Sequence, residues 1–301
     1  MELWNVIEKI NAVEIPKKST VTQMCSKEGG DPYKVWKIET ESQAYILKEA
    51  KEKEREIYES VLSKMDIGVP KLYQIIEVEG KSYLLMEYIA GEDLCQCDEG
   101  KLKLVLDALI AMQEQTWDAQ MEVPQGLSFA QSLAARKNRG EYLSDPLLEQ
   151  VYGDFLALYQ TLPRTFCHDD LLPFNVIVSP EKAVQIDWEA AGILPYPTPL
   201  ARLLAHTSED PNAMFYMTEA HRTFAIDYYF HRLLEPKGIS YENWKSTLAY
   251  FLFYEYCEWV FVGNKYGVTH GEYYQKYLPL AKEQAKRLLK STSLQNTNEL
   301  P

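Results

Sequence analysis

FCHDDLLPFNVIVSPEKAVQIDWEAAG, residues 166–192, sets three aspartates, an asparagine and a histidine between runs of apolar residues. Asn175-Val176-Ile177-Val178 and Ala183-Val184-Gln185-Ile186 read as two short strands hinged at Ser179-Pro180-Glu181-Lys182. A hairpin of that size carries the residues just before its first strand and just after its second to the same end of the ribbon. Asp170, Asn175 and Asp187 are therefore expected to converge. Two carboxylates and an amide oxygen are hard donors that suit Mg²⁺, which keeps several waters and takes one or two protein carboxylates plus substrate phosphates. Phosphoryl transfer is the natural chemistry of such a set. Asp and Asn also form turns and cap backbone amides. That explains any one of Asp169, Asp170 or Asn175 more easily than the whole cluster. His168 follows a cysteine expected to be buried and reads as a packed, hydrogen-bonded scaffold residue.

Working outward, residues 21–49 read as strand, turn, strand, turn, strand: VTQMC, SKEGGDPY, KVWKIE, a polar turn and QAYILKEA. KEKEREIYESVLSKM, from Lys51, places Ile57, Tyr58, Val61, Leu62 and Met65 on one helical stripe that Gly68 and Pro70 terminate. KLYQIIEV and SYLLMEYI are two further strands joined at Glu79-Gly80, and AGEDL, residues 90–94, breaks the pattern. Beyond it the chain reads as mostly helical: LKLVLDALIAMQEQTW, EQVYGDFLALYQTL, HRTFAIDYYFHRLL, ENWKSTLAYFLFYEYCEWVFV and EYYQKYLPLAKEQAKRLLKS. Residues 119–135 read as an irregular connection and the final STSLQNTNELP as frayed. The expected architecture is α+β, an antiparallel sheet with one helix followed by a larger, mostly helical part. Its divisions fall at 1–89, 90–94 and 95–301.

A chain of 301 residues with 46% hydrophobic content buries a real core. Its formal charge of -13 argues against a nucleic-acid backbone binder, which needs clustered Lys and Arg. Five scattered cysteines form no disulfide framework, and the lone Cys95-Gln96-Cys97 pair lacks two of the ligands of a zinc site. No signal peptide and no long uncharged apolar run is visible, so a cytoplasmic protein with neither nucleic-acid nor membrane partners is expected.

HDDLLPFN followed by QIDWE resembles the signatures of the aminoglycoside phosphotransferase and choline kinase superfamily, which shares the protein-kinase-like two-lobe fold. The resemblance makes Asp170 the catalytic aspartate, and Asn175 and Asp187 the magnesium ligands. It extends over most of residues 20–190. SKEGGDPYKVWKIE resembles the nucleotide-covering hairpin, with Gly29 and Gly30 at its turn, and YILK resembles the strand presenting a phosphate-binding lysine, Lys48. MEYIAGEDL resembles the strand and hinge behind the adenine, where the backbone of Glu87, Tyr88 and Ile89 would read the ring edge. That backbone readout does not separate ATP from GTP.

Each of these residues also has a plainer reading. Lys48 can snorkel from an edge strand, and Gly29 and Gly30 can serve an ordinary turn. The resemblance implies a glutamate partner for the lysine on the helix that starts at Lys51, Glu54 or Glu56, with Glu54 preferred because it faces the packed stripe.

The chain departs from the family at Asp169, Leu172 and Phe174 in the loop. It departs again at Gln113, where a histidine is usual, and at Pro199, where an acid usually steadies the loop. Asp227, Glu255 and Glu258, set among Tyr228, Tyr254, Tyr256 and Trp259, either hold an ammonium by ion pairing and cation-π contact or simply pack. The resemblance implies an ATP- and Mg²⁺-dependent kinase acting on a small-molecule hydroxyl: an aminoglycoside or other amino sugar, choline or ethanolamine, an amino alcohol, or a sugar. The acidic charge tilts the choice toward a cationic acceptor. The alternatives are a protein-hydroxyl kinase and a catalytically silent nucleotide- or partner-binding protein of the same fold.

Overall fold

The computed structural model of the chain describes residues 2–25, 30–65, 68–119 and 121–298. A short helix, α1 (Glu2–Ile7), precedes β1 (Thr20–Cys25), β2 (Pro32–Glu39) and β3 (Ala44–Ala50). Helix α2 (Glu52–Ser60) and one 3-10 turn lead to β4 (Leu72–Val78) and β5 (Lys81–Glu87). The five strands form one antiparallel sheet in the order β1-β2-β3-β5-β4. Glu79 and Gly80 close the β4–β5 hairpin with φ of 52° and 76°, the paired positive values that a tight hairpin turn with the strands' twist requires.

Alternation along β3 decides where its lysine goes. Tyr45 and Leu47 pack on one face with Ile76, Val78, Tyr83 and Leu85 under Val6 and Ile7 of α1. Ile46 and Ala50 pack on the other with Leu84, Met86 and the α2 residues Ile57 and Tyr58. Lys48 shares that second face by its period of two. α1 is a helix beyond the one expected beside the sheet, because six residues are too few to show a helical period.

The chain then becomes mostly helical: β6 (Glu92–Asp93), α3 (Glu99–Thr116), α4 (Phe129–Gly140) and α5 (Pro146–Thr161). Two short hairpin-like pairs follow, built from β7 (Arg164–Cys167), β8 (Val176–Val178), β9 (Ala183–Gln185) and β10 (Gly192–Pro195). β10 pairs with β7, and β6, β8 and β9 form a three-stranded sheet. Among the described residues four α-helices follow: α6 (Thr198–Ala205), α7 (Glu219–Tyr229), which runs into a π-helical turn, α8 (Tyr241–Tyr266) and α9 (Glu272–Asn298).

Two expectations fail locally. The supposed connection contains α4, whose polar FAQSLAARKNRG shows little periodicity but whose start is capped by the Ser128 side chain accepting from the Gln131 amide. At the other end α9 continues to Asn298, because nothing after Lys290 breaks an established helix. Among the described residues no helix is long and apolar enough to cross a membrane.

Gln113, buried in α3, ties the helical lobe together. Its amide nitrogen donates to the Tyr196 carbonyl at 2.8 Å and its oxygen accepts from the Tyr229 hydroxyl at 2.5 Å. The two lobes share a core in which Ile57, Tyr58 and Leu62 meet Phe166, Trp188 and Ala191. Trp188 is fully buried and stacks on Phe166 at 5.7 Å. Between the lobes the chain passes so close to β8 that a Cβ on Gly91 would lie 2.3 Å from the Val178 carbonyl oxygen. An amino-terminal antiparallel sheet with its helices, joined to a larger helical lobe, is the protein-kinase-like two-lobe fold.

Candidate active site

The β8–β9 pairing matches Val176 with Gln185, and the Ile186 amide donates to the Asn175 carbonyl at 2.9 Å. The residues just outside the ribbon are thereby brought to one end, as the hairpin argument required. His168 fastens the preceding loop to that end. Its Nε2 bonds the Ile186 carbonyl at 2.8 Å, and its Nδ1 accepts the Asp170 amide at 3.2 Å. With one nitrogen donating and the other accepting, the ring is neutral, and burial lowers its pKa below the ordinary histidine value in spite of the Ile186 bond and the nearby aspartates. His168 is the scaffold residue its position suggested.

Asn175 is 3% exposed and donates from its side-chain nitrogen to the Asp170 carbonyl at 2.8 Å, which leaves its side-chain oxygen to accept a hydrogen bond or ligate a metal. Asp187 has left-handed backbone, φ 63° and ψ 60°, a conformation uncommon outside glycine and tolerated by aspartate and asparagine. Its side chain is 46% exposed, and Oδ1 accepts from Lys48 Nζ at 2.7 Å. The same ammonium donates to Glu54 Oε1 at 2.7 Å. Glu54, not Glu56, is therefore the partner, and it is 2% exposed.

Burial opposes charge on Lys48, but Glu54 and Asp187 together more than offset it and raise its pKa. Burial likewise lifts Glu54, with Lys48 pulling it back only part of the way. The asymmetry follows from the count of partners: the lysine faces two carboxylates and the glutamate one cation.

Strand β5 ends at Glu87, and Tyr88 and Ile89 follow it outside any strand or helix. Glu87 Oε1 accepts from Lys182 of the β8–β9 turn at 2.8 Å, Lys37 Nζ lies 4.3 Å from the Tyr88 ring centre, and Ile89 is buried. Gly30 has φ 69° with open space where a Cβ would stand. Gly29 lies outside the described residues.

On the far side of Asp170 the structure adds cations the sequence did not flag. Arg202 of α6 donates from Nε and Nη2 to Asp170 Oδ1 at 2.9 and 2.7 Å. Its Nη1 reaches Glu255 Oε2 at 2.9 Å. Asp169 accepts from the buried Arg136 at 2.5 Å, a guanidinium that also lies 4.9 and 5.0 Å from the Tyr159 and Tyr254 ring centres. Arg139 pairs with Glu258 at 3.3 Å and donates to the Tyr254 hydroxyl. Asp227 accepts from the Tyr241 hydroxyl at 2.5 Å. The extra acid at 169 and the α8 acids thus have protein partners, and burial raises Glu258 while Arg202 and His206 hold Glu255 low against its burial. The one signal that could have marked Arg202 is that it is the single charge in TPLARLLA, an otherwise apolar helix. Phe174, where small residues are frequent, is 43% exposed and lies 5.6 Å from the Phe215 ring centre.

The sequence profile of the phosphotransferase enzyme family matches residues 28–234, and the chain belongs to that family. No curated protein matches it by sequence. Similarity to solved structures is one of fold. A choline kinase from Cryptosporidium parvum superposes with TM-score 0.61 at 14% identity, over 95% of this chain and 93% of that one. A choline/ethanolamine kinase family protein from Mesorhizobium loti gives 0.57 at 14% identity, over 96% and 95%. An aminoglycoside phosphotransferase from Streptomyces rimosus, solved with ADP and streptomycin, gives 0.52 at 15% identity, over 73% and 88%.

Proposed function

We propose that the chain is a Mg²⁺-dependent phosphotransferase that moves the γ-phosphate of ATP to a hydroxyl of a small molecule. The observation that carries this reading is the Lys48 ammonium bridging Glu54 and Asp187 across the lobe boundary, beside a loop that sets Asp170 and Asn175 at the same hairpin end.

The donors fit the cation. Asp187 and Asn175 supply two hard oxygens, and among the described residues no group of three or more His, Cys, Asp and Glu forms a ready-made metal site. Such a site takes Mg²⁺ together with the nucleotide's own phosphates. When bound, Mg²⁺ neutralises charge on the phosphate oxygens. Lys48, steadied by Glu54, would turn from Asp187 to the α- and β-phosphates. The Glu87–Ile89 link would meet the adenine, or guanine if GTP is used, and Gly30 would let backbone approach the phosphates. Asp170 would orient the acceptor hydroxyl and receive its proton.

Choline, ethanolamine, amino sugars, amino alcohols and sugars are the acceptor classes to test. The α8 acids are matched by guanidiniums, so they lend no support to a cationic acceptor. The decisive assay follows ADP release from ATP with each class, in Mg²⁺ and in EDTA. Acceptor-stimulated, Mg²⁺-dependent release is expected. Absence of both nucleotide binding and ADP release in Mg²⁺ would return the acidic cluster to turn chemistry.

A further inference from the structure

We infer that Arg202 is the positioning residue of Asp170, fixing which carboxylate oxygen faces the acceptor; the inference rests on the phosphotransferase reading. Two anchors hold Asp170. Its backbone is pinned by the loop: the amide donates to His168 Nδ1 and the carbonyl accepts from Asn175 Nδ2. Its side chain is held from outside the loop, where Arg202 delivers Nε and Nη2 to the same oxygen, Oδ1, at 2.9 and 2.7 Å. A guanidinium edge is planar and rigid, so two donors on one oxygen restrict rotation of the carboxylate in a way that a single flexible ammonium does not.

The loop has no cation for the task. Asp170 is followed by Leu171, Leu172, Pro173 and Phe174. Helix α6 opens at Thr198-Pro199, where the family's usual acid is missing, and supplies the arginine from its next turn. Behind the guanidinium, Nη1 is within 2.9 Å of both Glu255 Oε2 and His206 Nε2, and His206 Nδ1 is 2.8 Å from the Tyr277 hydroxyl. Glu255 is 2% exposed, so this support cannot rearrange freely in water. The arrangement occupies Oδ1 and leaves Oδ2 as the oxygen for the acceptor hydroxyl, on a carboxylate that is 37% exposed.

The test uses Arg202→Lys, which keeps a cation against Glu255 but loses the fork. Should that variant fold poorly, Arg202→Met with Glu255→Gln removes the carboxylate it would strand. With the acceptor found in the ADP-release assay, kcat is expected to fall about 100-fold, the cost of a misplaced reacting group, while KM for ATP stays within about twofold. Methylguanidinium added to Arg202→Ala is expected to restore part of the rate. Crystal structures of the variants read the same claim without substrate: the Asp170 side chain is expected in a second rotamer. An unmoved carboxylate with undiminished kcat, or equal losses in kcat and ATP affinity, overturns the inference. A wild-type protein that phosphorylates nothing defeats the phosphotransferase reading instead, and the rotamer of Asp170 in the variant crystals still decides the positioning role.

Discussion

Asp170 and Asp187 stand at one end of the same hairpin but are held in opposite ways. Asp187 sits on left-handed backbone with its carboxylate half-exposed, and its partner is the ammonium of a flexible lysine. Asp170 has its backbone tied by His168 and Asn175 and its carboxylate in an arginine fork backed by a buried glutamate. An ammonium contact of the first kind is exchangeable, since phosphate oxygens can replace the carboxylate on Lys48 and a cation can replace Lys48 on the carboxylate. A forked contact of the second kind is not readily given up. On the proposed phosphotransferase reading, the yielding aspartate would serve the nucleotide and its metal, and the fixed one the acceptor.

The sharpest way to break that contrast is to neutralise each acid in turn. Asp170→Asn is expected to lower kcat by about 10³-fold, within the range for loss of a general base, with nucleotide affinity nearly unchanged in titration calorimetry. Asp187→Asn is expected to remove the Mg²⁺ dependence of nucleotide binding along with turnover. If the two variants lose affinity alike, the division of labour fails.

Stability separates them next. Lys48→Met strands Glu54 without a cation in the shared core and is expected to cost about 3–5 kcal/mol in urea unfolding. Asp187→Asn removes a half-exposed partner and is expected to stay within about 1 kcal/mol of wild type. Similar losses would mean that the bridge is not organised around Glu54.

A smaller effect comes from His168, which burial keeps neutral with a lowered pKa. The unfolded chain takes up a proton near the ordinary value of 6.5 that the folded chain resists, so stability is full above that pH and falls as pH drops through it toward the lower folded value. Each unit of separation contributes about 1.4 kcal/mol. Melting temperatures between about pH 8 and about pH 5 should decline, and His168→Asn should start lower and slope less. An equal slope in the variant would place the titration elsewhere.

The hairpin, the Glu79-Gly80 turn and the preference for Glu54 were legible because each is set by local period or turn chemistry. Glu54 lies six residues from Lys48 on the stripe that packs against the sheet. The arginine partners were not legible. Arg202 meets residues 32 and 53 positions away, and Arg136 meets one 33 away, distances at which only the packing of α4, α6 and α8 determines who meets whom. For the same reason Gln113 read as a lapse from the family pattern, although in the fold it joins α3 to the Tyr196 carbonyl and to Tyr229 of α7. Asp227, Glu255 and Glu258 were ambiguous because a helix written in aromatics and acids looks alike whether its charges await a ligand or already have partners.

Calorimetric titration of the intact chain with ATP, in Mg²⁺ and then in EDTA, tests the central claim most directly. The geometry of Lys48, Glu54 and Asp187 predicts one saturable site whose affinity drops when the metal is chelated and no longer responds to metal in Asp187→Asn. Binding that is indifferent to Mg²⁺ in the wild type, or no binding at all, would contradict it.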